Sequence, residues 1–241
     1  MVNPILVALD FPTSVEAERM ARLVDPHVGG FKVGLELVTG QGPEAIRRIV
    51  QLGKPVFCDV KLHDIPNTVG AAARQLGRLG VRWLTVHASG GVAMVEAAVE
   101  GLAASSEGEA GVLAVTVLTS LGSNDLEAMG MHADPRAQVR RLAAVAQAAG
   151  AEGVVCSVAE VQAVAISAPS LTKVTPGIRP AGSALGDQAR VATPRIAIEA
   201  GADWIVVGRP VTRAADPAAA ARAIAEEVDG VGASIGSRGE S

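Results

Sequence analysis

The feature that most constrains this chain is the regular recurrence of short, almost unbroken apolar runs, each followed by a longer segment with helical spacing. The runs fall at 5–10, 30–34, 56–61, 82–87, 112–119, 153–157, 171–175 and 203–207. They lack the polar alternation of a half-exposed sheet, so they read as parallel strands covered on both faces. Ala-rich patterns predict helices between them at 14–23, 44–52, 69–79 and 136–149. A last helix is predicted at 217–228, behind Asp216, whose carboxylate can cap its first N–H groups. Eight strands alternating with helices predict an α/β chain closed into a (β/α)8 TIM barrel. The length of 241 residues fits that architecture, which runs to about 250 as one unit. An open doubly wound sheet that binds a dinucleotide would carry G-x-G-x-x-G after its first strand. Here that turn is Asp10-Phe11-Pro12-Thr13, without glycine. One domain is expected over 1–229, and the Gly- and Ser-rich residues 230–241 are expected to be a disordered tail.

Composition narrows the function. A net charge of −4 argues against a nucleic-acid backbone as ligand, and 2% aromatic residues with no tyrosine leave few platforms for stacking bases. Cys58 and Cys156 sit in separate apolar runs outside any CxxC pair and read as buried, reduced thiols. The start, Met1-Val2-Asn3-Pro4, has no signal-peptide pattern, and no apolar run reaches the ~18 residues of a membrane span. A cytoplasmic protein without a membrane partner is expected. His27, His63 and His132 lack partners at metal-ligand spacing, so no metal site is predicted.

In a barrel, chemistry gathers at the C-terminal ends of the strands. Those ends carry Asp10, Lys32, Asp59 with Lys61, His87, Thr119, residues 176–179 and Gly208 with Arg209. The densest group is Asp59-Val60-Lys61-Leu62-His63-Asp64-Ile65-Pro66-Asn67-Thr68. Strand alternation points Asp59 and Lys61 to one side, which in a barrel must be the axis near the open mouth. Asp64 follows at a turn. A structural ion pair with a helix-capping aspartate would use the same residues, but Lys32 and Asp10 on neighbouring strand ends extend the array beyond what packing needs. Carboxylates flanking a lysine favour its ammonium form, and a held ammonium can protonate a developing carbanion. The same surroundings oppose a Schiff-base lysine, which must be neutral to attack a carbonyl, and so oppose a class I aldolase.

Gly208 and Arg209 close the last strand. Glycine lets an anion approach backbone N–H groups and arginine offers a forked donor, so a phosphate is expected there. Residues 175–188 are rich in turn-formers, follow the seventh strand and read as a lid. His87, alone at its strand end, reads as a structural hydrogen-bonding group.

Taken together, the 6–10 segment, Phe31-Lys32-Val33-Gly34, DVKLHDIPNT, 85–91, 117–120, 175–179 and 207–210 resemble the orotidine 5′-phosphate decarboxylase family in its compact bacterial form, over all but the tail. The resemblance implies decarboxylation of orotidine 5′-phosphate to uridine 5′-phosphate and CO2, without cofactor or metal, by a homodimer of barrels with shared sites. It implies that Lys61 protonates C6 of the pyrimidine beside Asp59, that Lys32 completes the charged chain and contacts the ribose, and that Asp10 binds the ribose hydroxyls. Asp64, Ile65 and Thr68 would reach the neighbouring subunit's site. Thr119, Pro176 and Gln188 would contact the base, with Gln188 bridging to the phosphate. Arg179 would belong to the closing loop, and Gly208 with Arg209 would hold the phosphate. The segment 182–188 lacks the acidic residue that relatives often place before the Asp-Gln pair. Two rivals remain. One is a Mg2+-dependent sugar-phosphate decarboxylase or aldolase of the same superfamily, which needs a carboxylate where this chain has Lys32. The other is a non-catalytic phosphate-binding barrel, which has no use for the charged cluster.

Overall fold

A computed structural model describes residues 3–181 and 192–236, with side chains through Val231. The strands are β1 (Ile5–Ala8), β2 (Gly30–Gly34), β3 (Val56–Leu62), β4 (Trp83–His87), β5 (Gly111–Val115), β6 (Gly153–Val155), β7 (Thr172–Thr175) and β8 (Trp204–Val207). They close in sequence order, every neighbour pair parallel, with β8 returning to β1. The expected barrel is therefore observed.

Helices cover the outside. The first half holds α1 (Ser14–Val24), α2 (Leu35–Gln41), α3 (Pro43–Val50), α4 (Pro66–Gly77) and α5 (Val92–Ala103). The second holds α6 (Ser123–Ala128), α7 (Pro135–Ala148), α8 (Val161–Ser167), α9 (Pro194–Glu199), α10 (Arg209–Thr212) and α11 (Pro217–Gly236). Local signals start several of them. Thr13 Oγ1 accepts from the Glu16 N–H, Asp134 Oδ1 from that of Arg136, and Asp216 Oδ1 from that of Ala219 at 2.9 Å. Each bond satisfies an N–H that the helix leaves unpaired, typically worth about 1 kcal/mol.

Strand alternation divides the core. Outward residues such as Val7, Val33, Cys58, Leu84 and Val86 pack beneath the helices. Inward residues, among them Leu6, Phe57, Trp83, Leu113, Val174 and Val206, fill the barrel itself. Burial of each large side chain contributes about 1.5–3 kcal/mol. At the N-terminal end the filling becomes a floor. Trp83 and Trp204 meet edge-on at 4.9 Å, and Glu152 accepts from Trp83 Nε1 at 2.8 Å and from both terminal nitrogens of Arg82 at 2.7 Å. Gly111 makes room for that carboxylate, since a Cβ there would stand 1.9 Å from Glu152 Oε2.

Among the boundaries that differ from the expectation, three bear on the site or the tail. β1 ends at Ala8 and β5 at Val115, so Asp10 and Thr119 stand in the loops that follow rather than on strand ends. The last helix continues past 229 through Gly236, into the stretch expected to be a disordered tail. Val228 and Val231, 6% and 1% exposed, lie three residues apart on one helical face and hold that extra turn against the barrel. Residues 237–241 lie outside the described residues. Among the described residues no helix is long and apolar enough to cross a membrane.

Candidate active site

The mouth of the barrel opens into a cavity of about 420 Å3. Phe57 forms part of its lower wall, and Asp59 and Lys61, next on the same side of β3, rise above it. Lys61 Nζ lies 2.7 Å from Asp59 Oδ1. Lys32 Nζ, from β2, lies 3.6 Å from Asp59 Oδ2 and 2.9 Å from Asp10 Oδ1. The four groups thus form one alternating chain, Asp10–Lys32–Asp59–Lys61, across the ends of three adjacent strands. Gly34 leaves room for it: a Cβ there would come within 2.7 Å of Lys32 Nζ and 2.8 Å of Asp10 Oδ1.

The backbone beneath Lys61 is unusual. Its φ is +50°, and among the described residues it is the only one other than glycine with positive φ. The pairing of β3 with β4 slips between Cys58 and Leu62 at the same place. A left-handed conformation costs a side-chain-bearing residue about 1–2 kcal/mol. Such strain gathers where geometry serves function. Thr85, fully buried on β4, accepts the Lys61 N–H on its hydroxyl at 2.9 Å, and that hydroxyl lies 3.1 Å from Asp59 Oδ1.

Electrostatics follow from this geometry. Burial by itself would raise the Asp59 pKa, but the charges of Lys32 and Lys61 and the hydrogen bonds from Lys61 and Thr85 outweigh it and hold the carboxyl below its ordinary value. Cys58, facing the outer layer next door, is pushed up to about 12 by burial and by Asp59, with Lys32 opposing. It is buried and outside any disulfide, as is Cys156. His87 is lowered by burial and by the neighbouring His63 and Lys61, with Asp59 opposing. Its ring sits 5.3 Å from that of His63, and it does not line the cavity.

On the far side of the cavity stand Thr119, Pro176, Arg179, Gly208 and Arg209, all expected at the site. Arg179 Nε is buried without a hydrogen-bond partner, and its backbone N–H donates to Ala192 O at 2.9 Å, at the base of the segment read as a lid. Gln188, with the second half of that segment from 182 onward, lies outside the described residues. Arg213 also lines the cavity, one helical turn beyond Arg209, and Glu36 enters from α2. Neither was anticipated, although the i, i+4 spacing of the two arginines is visible in the sequence. Thr85 was missed as well.

Asp64, Ile65 and Thr68 do not join this group. All three are exposed and absent from the wall of their own barrel's cavity. Asp64 Oδ1 accepts from the Ile65 N–H at 2.6 Å, just ahead of α4, while Ile65 is 67% exposed. Among the described residues no group of three His, Cys, Asp or Glu side chains is placed to hold a metal ion.

A closed parallel barrel with a lysine–aspartate chain on one side of its mouth and arginines on the other is a (β/α)8 barrel of the kind that handles anionic small molecules. The profile of the "Orotidine 5′-phosphate decarboxylase / HUMPS family" matches residues 3–224. Orotidine 5′-phosphate decarboxylase from Anaeromyxobacter sp. (strain K) is 58% identical over 222 residues, 92% of this chain and 96% of its own. The enzyme of that name from Halorhodospira halophila is 52% identical over 229 residues, 95% of this chain and 97% of its own. The crystal structure of orotidine 5′-phosphate decarboxylase from Lactobacillus acidophilus superimposes with a TM-score of 0.83 at 39% identity, covering 94% of this chain and 99% of that one. The chain belongs to the orotidine 5′-phosphate decarboxylase / HUMPS family.

Proposed function

We propose that this protein decarboxylates orotidine 5′-phosphate to uridine 5′-phosphate and CO2, a step of pyrimidine biosynthesis. The observation that carries the reading is the Lys61 ammonium, held 2.7 Å from Asp59 on strained backbone near the end of β3, in a cavity that Arg179, Arg209 and Arg213 also line. The arginines suit a phosphate. The ammonium suits a carbon that becomes negative when the bond to its carboxylate breaks.

In this mechanism the C6–carboxylate bond of the pyrimidine breaks heterolytically and its electron pair stays on C6. Lys61 stabilises that charge and transfers one proton to C6, then regains a proton from solvent. Asp59 and Lys32 fix the direction of Lys61. Asp10, half exposed at the rim, is placed for the ribose hydroxyls. Binding of the remote phosphate orders the mouth around the reacting carbon. Thr119 and Pro176 contact the base, Gln188 bridges base and phosphate, and Arg179 with Gly208 and Arg209 closes on the phosphate.

Asp64, Ile65 and Thr68 are assigned to the site of a second copy of the chain. Their exposure and their absence from the wall of their own cavity support a homodimer with shared sites, working in the cytoplasm on a free nucleotide. No metal or organic cofactor enters this scheme. The Mg2+-dependent sugar-phosphate reading is disfavoured because Lys32, the middle residue of β2 and part of the cavity wall, puts a cation where that chemistry needs an oxygen ligand. A non-catalytic phosphate barrel leaves the strained Lys61 and its buried partner Asp59 without a purpose.

The test is to follow the ultraviolet absorbance of orotidine 5′-phosphate with purified protein in the presence of EDTA. Turnover that EDTA leaves unchanged is the expected result. Activity abolished by EDTA and restored by Mg2+ would favour the sugar-phosphate branch, and no turnover in either condition would refute the proposal.

A further inference from the structure

We propose that Thr85 is a positioning residue for the acid–base centre, its hydroxyl locking the left-handed turn at Lys61 to the carboxylate of Asp59. The inference rests on the decarboxylase reading and deepens it.

The geometry begins with the strand slip. Because β3 shifts against β4 between Cys58 and Leu62, the backbone N–H of Lys61 leaves the regular ladder. A buried N–H must find another acceptor. Thr85 Oγ1 supplies it at 2.9 Å. The hydroxyl then has one proton to give, and the nearer of its two acceptors is Asp59 Oδ1 at 3.1 Å, against Cys58 O at 3.5 Å. The same carboxylate oxygen takes Lys61 Nζ at 2.7 Å. One hydroxyl therefore ties the main chain of Lys61 to the group that orients the end of its side chain.

Thr85 is suited to this task. It is fully buried, so water does not compete for its hydroxyl. Its β-branch restricts χ1, so the hydroxyl stays directed at β3. It also lies beneath the charged chain and outside the cavity wall, so substrate does not touch it. It acts through Lys61 and Asp59 rather than on the reacting atoms.

The test compares Thr85→Val, Thr85→Ala and Thr85→Ser with the wild type in the orotidine 5′-phosphate assay, with circular dichroism as the check on folding. Wild-type turnover is measured first, and its absence would sink the decarboxylase reading and this inference with it. Given wild-type turnover, the folded Val and Ala variants should lose about ten- to a hundredfold in kcat, since a hydrogen bond to a charged group and a displaced catalytic atom each act on that scale. Their KM should stay within about twofold, because substrate contacts are untouched. Thr85→Ser, which keeps the hydroxyl, should recover kcat to within about threefold of wild type. Folded Val and Ala variants with wild-type kcat would overturn the assignment, as would a Ser variant no better than Val. If Val does not fold, Ala decides. If neither folds while Ser does, Thr85 is a structural residue and the positioning role is wrong.

Discussion

Lys32 and Gly34 are joined by an absence: a Cβ on Gly34 would stand 2.7 Å from Lys32 Nζ, closer than real contacts allow. Gly34 has φ −104° and ψ −177°, an extended conformation open to any residue, so its lack of a side chain serves space and not backbone freedom. Gly34→Ala should therefore fold normally, because the displaced atoms are the mobile end of a lysine and a half-exposed carboxylate. It should lower kcat/KM by roughly tenfold or more, since Lys32 must turn away from Asp10 and Asp59. Thermal unfolding together with steady-state kinetics checks both halves. A variant with native kinetics would show that the site tolerates a displaced Lys32.

Asp59 makes stability depend on pH in a definite sense. Its folded pKa lies below the unfolded value because Lys32, Lys61 and Thr85 outweigh the effect of burial. A carboxyl of this kind contributes its full stabilisation above the unfolded pKa of about 4, and loses it as pH falls through the depressed folded value. Asp59→Asn should be less stable than wild type at neutral pH, with two lysines left without their shared carboxylate. The gap should narrow as pH drops below about 4. Urea unfolding of both proteins from pH 7 to pH 3 measures it, and a gap that stays constant throughout would show that Asp59 carries no linked proton.

Arg209→Ala should raise KM for the nucleotide about tenfold or more, the usual worth of a charge-assisted contact to phosphate. Because phosphate binding also orders the mouth, kcat should fall with it. With orotidine lacking its phosphate, wild type and variant should become nearly equal. Equal losses on both substrates would mean that Arg209 supports the fold of α10 instead of the ligand.

Asp64 offers the sharpest test of a shared site. Lys61→Ala and Asp64→Ala subunits, each expected to be inactive alone, are unfolded together and refolded as a mixture. If Asp64 serves the opposite barrel, each hybrid dimer holds one doubly defective site and one intact site. Random pairing makes about half of the dimers hybrid, so about a quarter of all sites should regain activity. Hybrids seen by mass spectrometry without any recovery would place Asp64 in its own subunit's chemistry.

How far the sequence reaches is clearest on β3. The apolar runs foretold the barrel because only strands buried on both faces stay apolar throughout. Alternation put Asp59 and Lys61 on one side, and that is where they lie. The left-handed turn at Lys61 was invisible, because no glycine marks it; Thr85, across the strand, holds it. Thr85 lies inside the predicted run 82–87 with nothing in the sequence to single it out, and its role exists only through pairing with a strand 24 residues away. Asp10 and Thr119 were assigned to strand ends because apolar residues, Leu9 after β1 and Val117 with Leu118 after β5, continue past the end of each strand. The Gly- and Ser-rich composition after 229 masked Val231, whose burial depends on the barrel it meets.

The floor of the barrel has a practical consequence. The chain contains two tryptophans and no tyrosine, and both tryptophans, Trp83 and Trp204, belong to that floor, at the strand ends opposite the mouth. Essentially all of the protein's intrinsic fluorescence therefore originates there. Its emission should follow the closing and opening of the barrel while remaining indifferent to changes at Lys61 or Arg209, whereas Thr85, two residues from Trp83 on β4, lies close enough to affect it. The molecule carries its own optical gauge of folding, separated by the length of a strand from everything that its chemistry alters.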